Sequence, residues 1–125
     1  MKIDHIGLYV KDLEGAREFF ETWFAGRANK KYHNPKTGFS SYFIAFDDGS
    51  RLELMNKAGL SEIPEEAYGL VHLSFALGSK EAVDSLSTKL DESGFPILNG
   101  PRTTGDGYYE CVVSGFEGNR LELTV

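Results

Sequence analysis

The chain has 125 residues, the size of one compact domain, and its hydrophobic fraction of 41% with nine phenylalanines argues against disorder. Its formal net charge of −6 disfavours binding of nucleic acid through a broad basic face, so no nucleic-acid partner is expected. Cys111 is the one cysteine, and neither a charged-then-apolar leader nor a membrane-length apolar run is present. We therefore expect a cytoplasmic protein without disulfides or a membrane partner.

The first predicted element is a β-strand over residues 2–10, because apolar side chains alternate there with polar or small ones. An α-helix is predicted next, since Asp12 is a typical N-cap residue, apolar residues recur at three-to-four spacing, and Gly26 can end the helix. The apolar positions of this helix are Leu13, Ala16, Phe20 and Trp23.

Three further strands are predicted in the first half of the chain. A weakly patterned strand lies near residues 27–33. An aromatic and β-branched strand at 41–46 is expected to form a hairpin, through the turn at 47–50, with the strand that contains 51–54. The segment 57–68 contains glycine and proline and is predicted to link the two halves.

The second half of the chain predicts the same order of elements again. It repeats the alternation at the start, a helix N-cap at Ser79 and a helix end at Gly94. The predicted elements are a strand at 70–77, a helix with Ala82, Leu86 and Leu90 on its apolar face, a weak strand near 95–99, and a hairpin that joins 108–113 to the last strand through 115–118.

An internal repeat supports this duplication. The tetrapeptide Arg-Leu-Glu-Leu occurs at 51–54 and at 120–123, each time after an acidic residue and a glycine. We therefore expect an α+β fold in which the single domain 1–125 consists of two tandem βαβββ modules, 1–56 and 69–125, that form a curved mixed sheet.

Strand periodicity assigns four polar residues to the sheet face opposite the helices. His5 and His72 alternate with the apolar residues of the first strand of each module, and Glu53 and Glu122 alternate with leucines in the last strand. In a curved sheet that is covered by helices on the outside, this is the concave face. The interval from histidine to glutamate is nearly the same in the two modules.

This pattern favours a metal site over a purely structural role. A lone histidine on a strand is more often a hydrogen-bonded structural residue, and a lone glutamate more often belongs to a solvated face. Two carboxylates that converge in one cavity are costly, however, unless a cation neutralises them. The sequence thus predicts that His5, Glu53, His72 and Glu122 hold one divalent metal ion, Zn or Ni first and Co or Mn next.

Motifs at both ends of the chain resemble the vicinal oxygen chelate superfamily, which includes glyoxalases, bleomycin-resistance proteins and extradiol dioxygenases. They are Asp-His-Ile-Gly-Leu-Tyr-Val-Lys-Asp-Leu at 4–13, Ala-Arg-Glu-Phe-Phe at 16–20 and Glu-Gly-Asn-Arg-Leu-Glu-Leu at 117–123, although Phe116 stands where an Asp-Pro pair is usual. The resemblance covers essentially the whole chain. The chain looks most similar to bacterial lactoylglutathione lyases. Their His, Glu, His, Glu ligand set maps onto His5, Glu53, His72 and Glu122.

The resemblance implies a metal-dependent lyase or isomerase that abstracts a proton next to a carbonyl in a small-molecule substrate. A ligand carboxylate would act as general base and acid, with Glu122 the first candidate and Glu53 the second. It also implies a homodimer with active sites built from both subunits. Glutathione-using members usually carry an arginine on the first strand where this chain has Tyr9, so other small carbonyl or coenzyme-linked substrates stay open.

Six residues are candidates for substrate contact, and each has a commoner structural role. Arginines at a sheet edge more often pair with neighbouring carboxylates, and aromatic residues at strand spacing more often belong to the core. The loop before the strand at 108–113 is of the kind that carries specificity. The candidates are Arg51, Arg120 and the loop residue Arg102, together with Tyr9, Phe43 and Tyr108.

Two other function classes stay open. One is a different enzyme of the superfamily, such as an epimerase or a fosfomycin-modifying antibiotic-resistance protein; the latter typically uses two histidines and one glutamate, so Glu53 argues against it. The other is a non-catalytic small-molecule binder of the bleomycin-resistance type, which generally lacks the metal ligands. Outside the site, His33 is predicted to be a solvated turn residue and Cys111 a buried apolar side chain.

Overall fold

The computed structural model contains nearly the same order of secondary-structure elements twice. It describes residues 3–62, 64, 68–105 and 107–125, and the chain divides into two compact units, Met1–Glu65 (unit one) and Glu66–Val125 (unit two). Unit one contains β1 (Ile6–Tyr9), α1 (Leu13–Phe24), β2 (Arg27–Ala28), β3 (Tyr32–His33), β4 (Ser40–Ala45) and β5 (Arg51–Asn56). Unit two contains β6 (Leu73–Ala76), α2 (Lys80–Glu92), β7 (Ile97–Thr103), β8 (Tyr109–Ser114), a short 3-10 helix (Phe116–Gly118) and β9 (Arg120–Thr124). The predicted α+β fold of two tandem modules is confirmed, although the first module has one short strand more than the predicted βαβββ order and the described strands form two mixed sheets instead of one.

Each unit has its own mixed sheet. The strand order is β1-β5-β4-β2 in unit one, with β3 also paired to β4, and β6-β9-β8-β7 in unit two. The first strand of each unit runs parallel to the last one, and the other pairs are antiparallel. The segments that carry the predicted histidines therefore lie beside the strands that carry the predicted glutamates.

The core of each unit lies between its helix and one face of its sheet. In unit one, Leu52 and Leu54 of β5 are buried together with Ala16 and Phe20 of α1. The matching buried residues of unit two are Val83, Leu90, Val113, Leu121 and Leu123. Full burial of each leucine, valine or phenylalanine side chain contributes about 1.5–3 kcal/mol. The alternation of β5 and β9 then leaves their glutamates on the other face of each sheet, as predicted.

Both ends of α1 follow from local chemistry, but not entirely as predicted. The carboxylate of Asp12 accepts a backbone hydrogen bond of 3.0 Å in the first turn, which confirms the N-cap. At the other end, Ala25 rather than a glycine takes the left-handed conformation, with φ of 51°. Gly26 comes next because a Cβ there would lie 2.5 Å from Ile44 Cγ2. The glycine therefore permits close packing, and the alanine makes the turn.

The second helix, α2, begins and ends as predicted, after the N-cap Ser79 and before Gly94. Leu90 of the predicted apolar face is fully buried, and the other buried positions are Val83 and Ser87. Periodicity does not predict Ser87 in the core, but its hydroxyl donates to a backbone carbonyl one turn earlier and so stays paired. The half-buried positions of the predicted face are Ala82 and Leu86. Among the helices that the structure describes, none is long and apolar enough to span a membrane.

Several predicted strands have different bounds in the structure. The first, predicted over 2–10, is a strand over Ile6–Tyr9. The segment near 27–33 forms two short strands, β2 and β3, which both pair with β4. The segment near 95–99 extends to Thr103 as β7, with two register shifts against β8. Pairing of β6 with β9 begins at Leu73, so the strand predicted at 70–77 starts later than predicted and Val71 is exposed outside the sheet. Val125 is exposed beyond the end of β9.

Candidate metal-binding half-sites

His5 and Glu53 meet on the face of the unit-one sheet that points away from α1. His5 immediately precedes β1, and Glu53 lies in β5, which runs parallel to β1. The distance from His5 Nε2 to Glu53 Oε2 is 3.6 Å. The Glu53 side chain is only 20% exposed. We call this pair half-site one.

Asp4 and Phe43 contact His5 directly, and Arg51 contacts both of them. Asp4 Oδ2 accepts a hydrogen bond of 2.9 Å from His5 Nδ1 and also pairs with the guanidinium of Arg51. That guanidinium lies 5.0 Å from the centroid of the Phe43 ring, which stands edge-on to the His5 imidazole at 5.1 Å. The hydrogen bond from His5 and the charge of Arg51 lower the pKa of the Asp4 carboxyl, so Asp4 stays ionised.

His72 and Glu122 form the corresponding pair in unit two, which we call half-site two. His72 immediately precedes β6, and Glu122 lies in the parallel strand β9. The distance from His72 Nε2 to Glu122 Oε2 is 3.7 Å, and the Glu122 side chain is 19% exposed. Ser74 Oγ donates a hydrogen bond of 2.7 Å to Glu122 Oε1, which leaves Oε2 on the side of the histidine.

Comparison with known proteins identifies the family of the chain that contains these two half-sites. The family model described as the Glyoxalase/Bleomycin resistance protein/Dioxygenase superfamily matches residues 2–123. The chain belongs to this superfamily. The resemblance noted from the sequence is thereby confirmed at the level of the superfamily.

Three proteins are similar to the chain over nearly its whole length. The protein YqjT of Bacillus subtilis (strain 168), described as uncharacterized, is 32% identical over 95% of this chain and 94% of its own. A solved structure of a possible glyoxalase from Bacillus cereus is 27% identical, covers 100% of this chain and 99% of its own, and has a TM-score of 0.74. The fosfomycin resistance protein FosX from Listeria monocytogenes, solved with Mn(II) and 1S,2S-dihydroxypropylphosphonic acid, shares the fold at 21% identity, with a TM-score of 0.76 over 98% of this chain and 90% of its own.

Each half-site of this glyoxalase-superfamily chain fits a divalent cation by the chemistry of its donors. The separations of 3.6 and 3.7 Å between imidazole nitrogen and carboxylate oxygen are too long for a direct hydrogen bond. With bonds of about 2.1 Å to a metal, adjacent donors in octahedral and tetrahedral sites stand roughly 3.0–3.4 Å apart, so small side-chain movements would let both donors reach one ion. Imidazole and carboxylate together suit borderline ions such as Zn and Ni.

The structure brings the four predicted ligands together as two pairs. No group of three or more histidine, cysteine, aspartate or glutamate side chains suited to a metal ion occurs among the described residues. His5 is thus placed with Glu53, and His72 with Glu122. A site that uses all four residues is part of the proposal below.

The arginine candidates for substrate contact differ in their surroundings. Arg51 pairs with Asp4, and Arg102 pairs with Glu110 at 3.0 Å, which is the commoner role of arginines at a sheet edge. Arg120 is exposed at the start of β9. A role in substrate binding therefore requires Arg51 and Arg102 to exchange a carboxylate partner for the substrate.

The aromatic candidates lie near the surface rather than in the core. Tyr9 is 46% exposed, with the Lys57 ammonium 5.5 Å from its ring centroid, and Tyr108 is 60% exposed. Phe43 is half-buried beside His5. All three rings are therefore accessible for contact with a small molecule.

Two residues outside the half-sites also have clear positions. His33 lies in β3 rather than in a turn, and its Nδ1 is 2.8 Å from Ser40 Oγ. It is exposed, so the prediction of solvation holds while that of a turn is wrong. Cys111 is buried as predicted, and this burial raises the pKa of its thiol.

Asp4 and Ser74, which hydrogen-bond His5 and Glu122, are not among the site residues predicted from the sequence. Each had a local signal that could have found it. Asp4 is the neighbour of His5 in the chain, and Ser74 has the strand parity of His72. Polar residues at these positions are expected to contact the predicted ligands.

Proposed function

We propose that this protein is a metal-dependent enzyme of the glyoxalase type, a lyase or isomerase that moves a proton next to a carbonyl of a small substrate. The observation that carries the proposal is the duplicated pair, His5 with Glu53 and His72 with Glu122, in which nitrogen and carboxylate oxygen face each other at nearly equal distances. Membership of the superfamily supports it, since FosX, a protein of the same fold, was solved with Mn(II).

In this proposal one divalent cation is shared by both half-sites. A single half-site offers two protein donors, whereas zinc sites in enzymes use three or four. Two carboxylates would also neutralise the charge of the ion. The two half-sites would combine within one chain or across the homodimer that the sequence resemblance implies, and in both cases the expected amount is one ion per chain.

The glutamates of the half-sites would perform the proton transfer. A bound cation would supply Lewis-acid stabilisation of the negative charge that develops on the carbonyl oxygen of the substrate. Glu122 is our first candidate for the base that removes the proton and returns it, and Glu53 is the second because it holds the equivalent position.

The first strand bears on the choice of substrate. Glutathione conjugates carry carboxylates, and Tyr9 has no charge with which to bind one. We therefore propose a small carbonyl compound or a coenzyme-linked carbonyl as substrate, and we use the methylglyoxal–glutathione hemithioacetal as the reference compound for comparison.

Metal uptake tests the first half of the proposal. The protein is stripped with a chelator, loaded with Zn, Ni, Co or Mn, desalted and examined by elemental analysis. The wild type should retain about one ion per chain of at least one metal, and Glu53→Gln and Glu122→Gln should each lose most of it. Glu62→Gln is the matched control, since Glu62 is an exposed carboxylate that pairs with Lys11. A wild type that takes up none of the four metals would contradict the proposal.

Isotope exchange tests the second half. The metal-loaded protein is incubated in D₂O with the hemithioacetal and, separately, with acyl-coenzyme A thioesters. Deuterium should enter the carbon next to the carbonyl of one of them, and Glu122→Gln should slow this exchange by about 10²–10⁴-fold. Metal uptake without exchange in any substrate would rule out proton transfer on these classes and favour a non-catalytic binder.

A further inference from the structure

The two half-sites differ in which ligand is supported by a neighbouring polar side chain. In half-site one the supported residue is His5, which hydrogen-bonds Asp4. In half-site two it is Glu122, which accepts the hydroxyl of Ser74. Within the described residues, no further hydrogen bond is formed by the carboxylate of Glu53 or by the imidazole of His72. The two half-sites therefore contain the same pair of ligands, but a different ligand of the pair is hydrogen-bonded by a neighbour in each.

Half-site one contains a closed ring of side-chain contacts around the imidazole. His5 bonds to Asp4, Asp4 pairs with Arg51, Arg51 lies over the ring of Phe43, and Phe43 stands edge-on to His5. Each member thus has two neighbours in the ring, so rotation of any one side chain breaks two contacts. This arrangement favours one orientation of the imidazole.

The ring also decides which nitrogen of His5 carries the proton. An ionised carboxylate can only accept hydrogen bonds, so the contact with Asp4 requires a proton on Nδ1. A neutral imidazole has one N–H, and Nε2 then presents its lone pair. Nε2 is the atom that faces Glu53 Oε2, and it is thereby prepared to bind a cation.

Unit two has no equivalent ring of contacts among its described residues, because its sequence differs at the matching positions. His72 is preceded by Val71, where His5 is preceded by Asp4, and valine offers no side-chain acceptor. The strand neighbour of Glu122 is Val112, where that of Glu53 is Phe43. No aromatic ring or carboxylate therefore occupies these positions beside His72.

We propose that Asp4 is a positioning residue, which holds His5 in the tautomer that presents Nε2 to a divalent cation, while Arg51 and Phe43 keep Asp4 and the imidazole in place. This inference rests on the proposed metal-dependent function and adds an asymmetry to it. His5 is prepared before the ion arrives, and His72 selects its tautomer when the ion binds. Residues that orient a metal-binding histidine typically change metal affinity by 10–100-fold when they are replaced.

The tautomer is measured on the metal-free protein, so the test is independent of catalysis. Two-bond nitrogen–proton correlation spectra are recorded on ¹⁵N-labelled protein, at a pH where the imidazoles are neutral. The chain has three histidines, and His33→Ala and His72→Ala assign two of them, which leaves His5 as the third. His5 should show the Nδ1–H form, and His72 should show a mixture of the two forms. Asp4→Ala should convert His5 to a mixture, and Asp4→Asn should retain the Nδ1–H form because its side-chain carbonyl still accepts.

Zinc affinity, measured by competition with a chromophoric chelator, gives the second readout. Asp4→Ala should weaken binding by about 10–100-fold, and Asp4→Asn by clearly less. Asp47→Ala is the matched control, since Asp47 is an exposed carboxylate of the same unit that pairs with Arg27, and it should leave the affinity unchanged. A wild type that binds none of Zn, Ni, Co and Mn would overturn the proposed function, whereas an unchanged His5 tautomer in Asp4→Ala would overturn the positioning role.

Discussion

At the scale of single residues, Gly7 and Ser74 show how two copies of one module acquire different chemistry. They hold the same register position, Gly7 beside Glu53 and Ser74 beside Glu122. A Cβ at residue 7 would lie 2.7 Å from Met55 Cε, so a side chain there requires the methionine to move. The same position in unit two carries a hydroxyl that bonds its glutamate. A packing contact in one copy and a hydrogen bond in the other therefore distinguish the two half-sites.

The hydroxyl of Ser74 yields a prediction about Glu122. Ser74→Ala removes the hydrogen bond to Oε1, so the carboxylate is free to rotate and Oε2 is no longer directed to the side of His72. We expect zinc affinity to fall by roughly tenfold, the lower end of the range for residues that orient a metal ligand, because this hydrogen bond is exposed. Stability should change little for the same reason.

The control for this prediction is Ser50→Ala. Ser50 Oγ also donates a hydrogen bond of 2.7 Å to a carboxylate, that of Asp48, but in the β4–β5 turn. Its loss should leave zinc affinity unchanged. If both alanine variants bind zinc as the wild type does, Ser74 has no part in holding Glu122.

At the scale of elements, the C-terminal end of α1 combines two features in an unusual order. The left-handed residue is Ala25, and the glycine that could adopt this conformation at no steric cost follows it. Gly26 is needed where it is, since its backbone packs against the side chain of Ile44. Gly26 is thus required for the close contact with the sheet. The left-handed conformation falls on Ala25, the preceding residue, where it is strained.

Ala25→Gly should therefore stabilise the protein. An L-residue in the left-handed region costs roughly 1–2 kcal/mol, and part of this gain is offset because glycine loses more entropy on folding. We expect the free energy of unfolding in urea to rise by about 0.5–1 kcal/mol. Ala82→Gly, a substitution inside α2, should lower it by up to about 1 kcal/mol. A loss of stability in Ala25→Gly as well would show that the conformation of Ala25 is not strained.

The elements that could be predicted are those whose signals are local. The N-caps Asp12 and Ser79 were identifiable because each cap bonds the backbone three residues later. The buried position of Ser87 was not, because it depends on how α2 rotates on its sheet and on a hydroxyl that is satisfied within the helix. The short strands β2 and β3 were missed as separate elements, since each pairs over only two residues and leaves no periodic pattern.

At the scale of the whole molecule, duplication made the ligands predictable. A single His or Glu on a strand carries little information, but the same pair in both modules, on the face that alternation assigns, identifies His5, Glu53, His72 and Glu122 as candidates. The hydrogen bond between Asp4 and His5 could not be derived from the repeat, because it is present in one module only. The repeat therefore identifies the residues that the two units share, but not the contacts that occur in one unit only.

The duplication also predicts how the two half-sites depend on each other. If one cation needs both, removal of either half-site should abolish metal binding, because the remaining one has two donors. With zinc at about 100 times the dissociation constant, binding should stabilise the wild type by about 2.7 kcal/mol, and a chelator should reverse this. The double variants His5→Ala with Glu53→Gln and His72→Ala with Glu122→Gln should each lose all of this stabilisation, and the quadruple variant should lose no more.

The alternative arrangement, one ion in each half-site, has the opposite signature. Each double variant would then keep about half of the zinc-dependent stabilisation, the effects would add in the quadruple variant, and elemental analysis would find about two ions per wild-type chain. Urea unfolding with and without zinc distinguishes the two arrangements, and His33→Ala with Glu62→Gln, which removes an exposed histidine and an exposed glutamate of unit one, should behave like the wild type. Additive losses would contradict a shared ion, since donors to one ion must fail together.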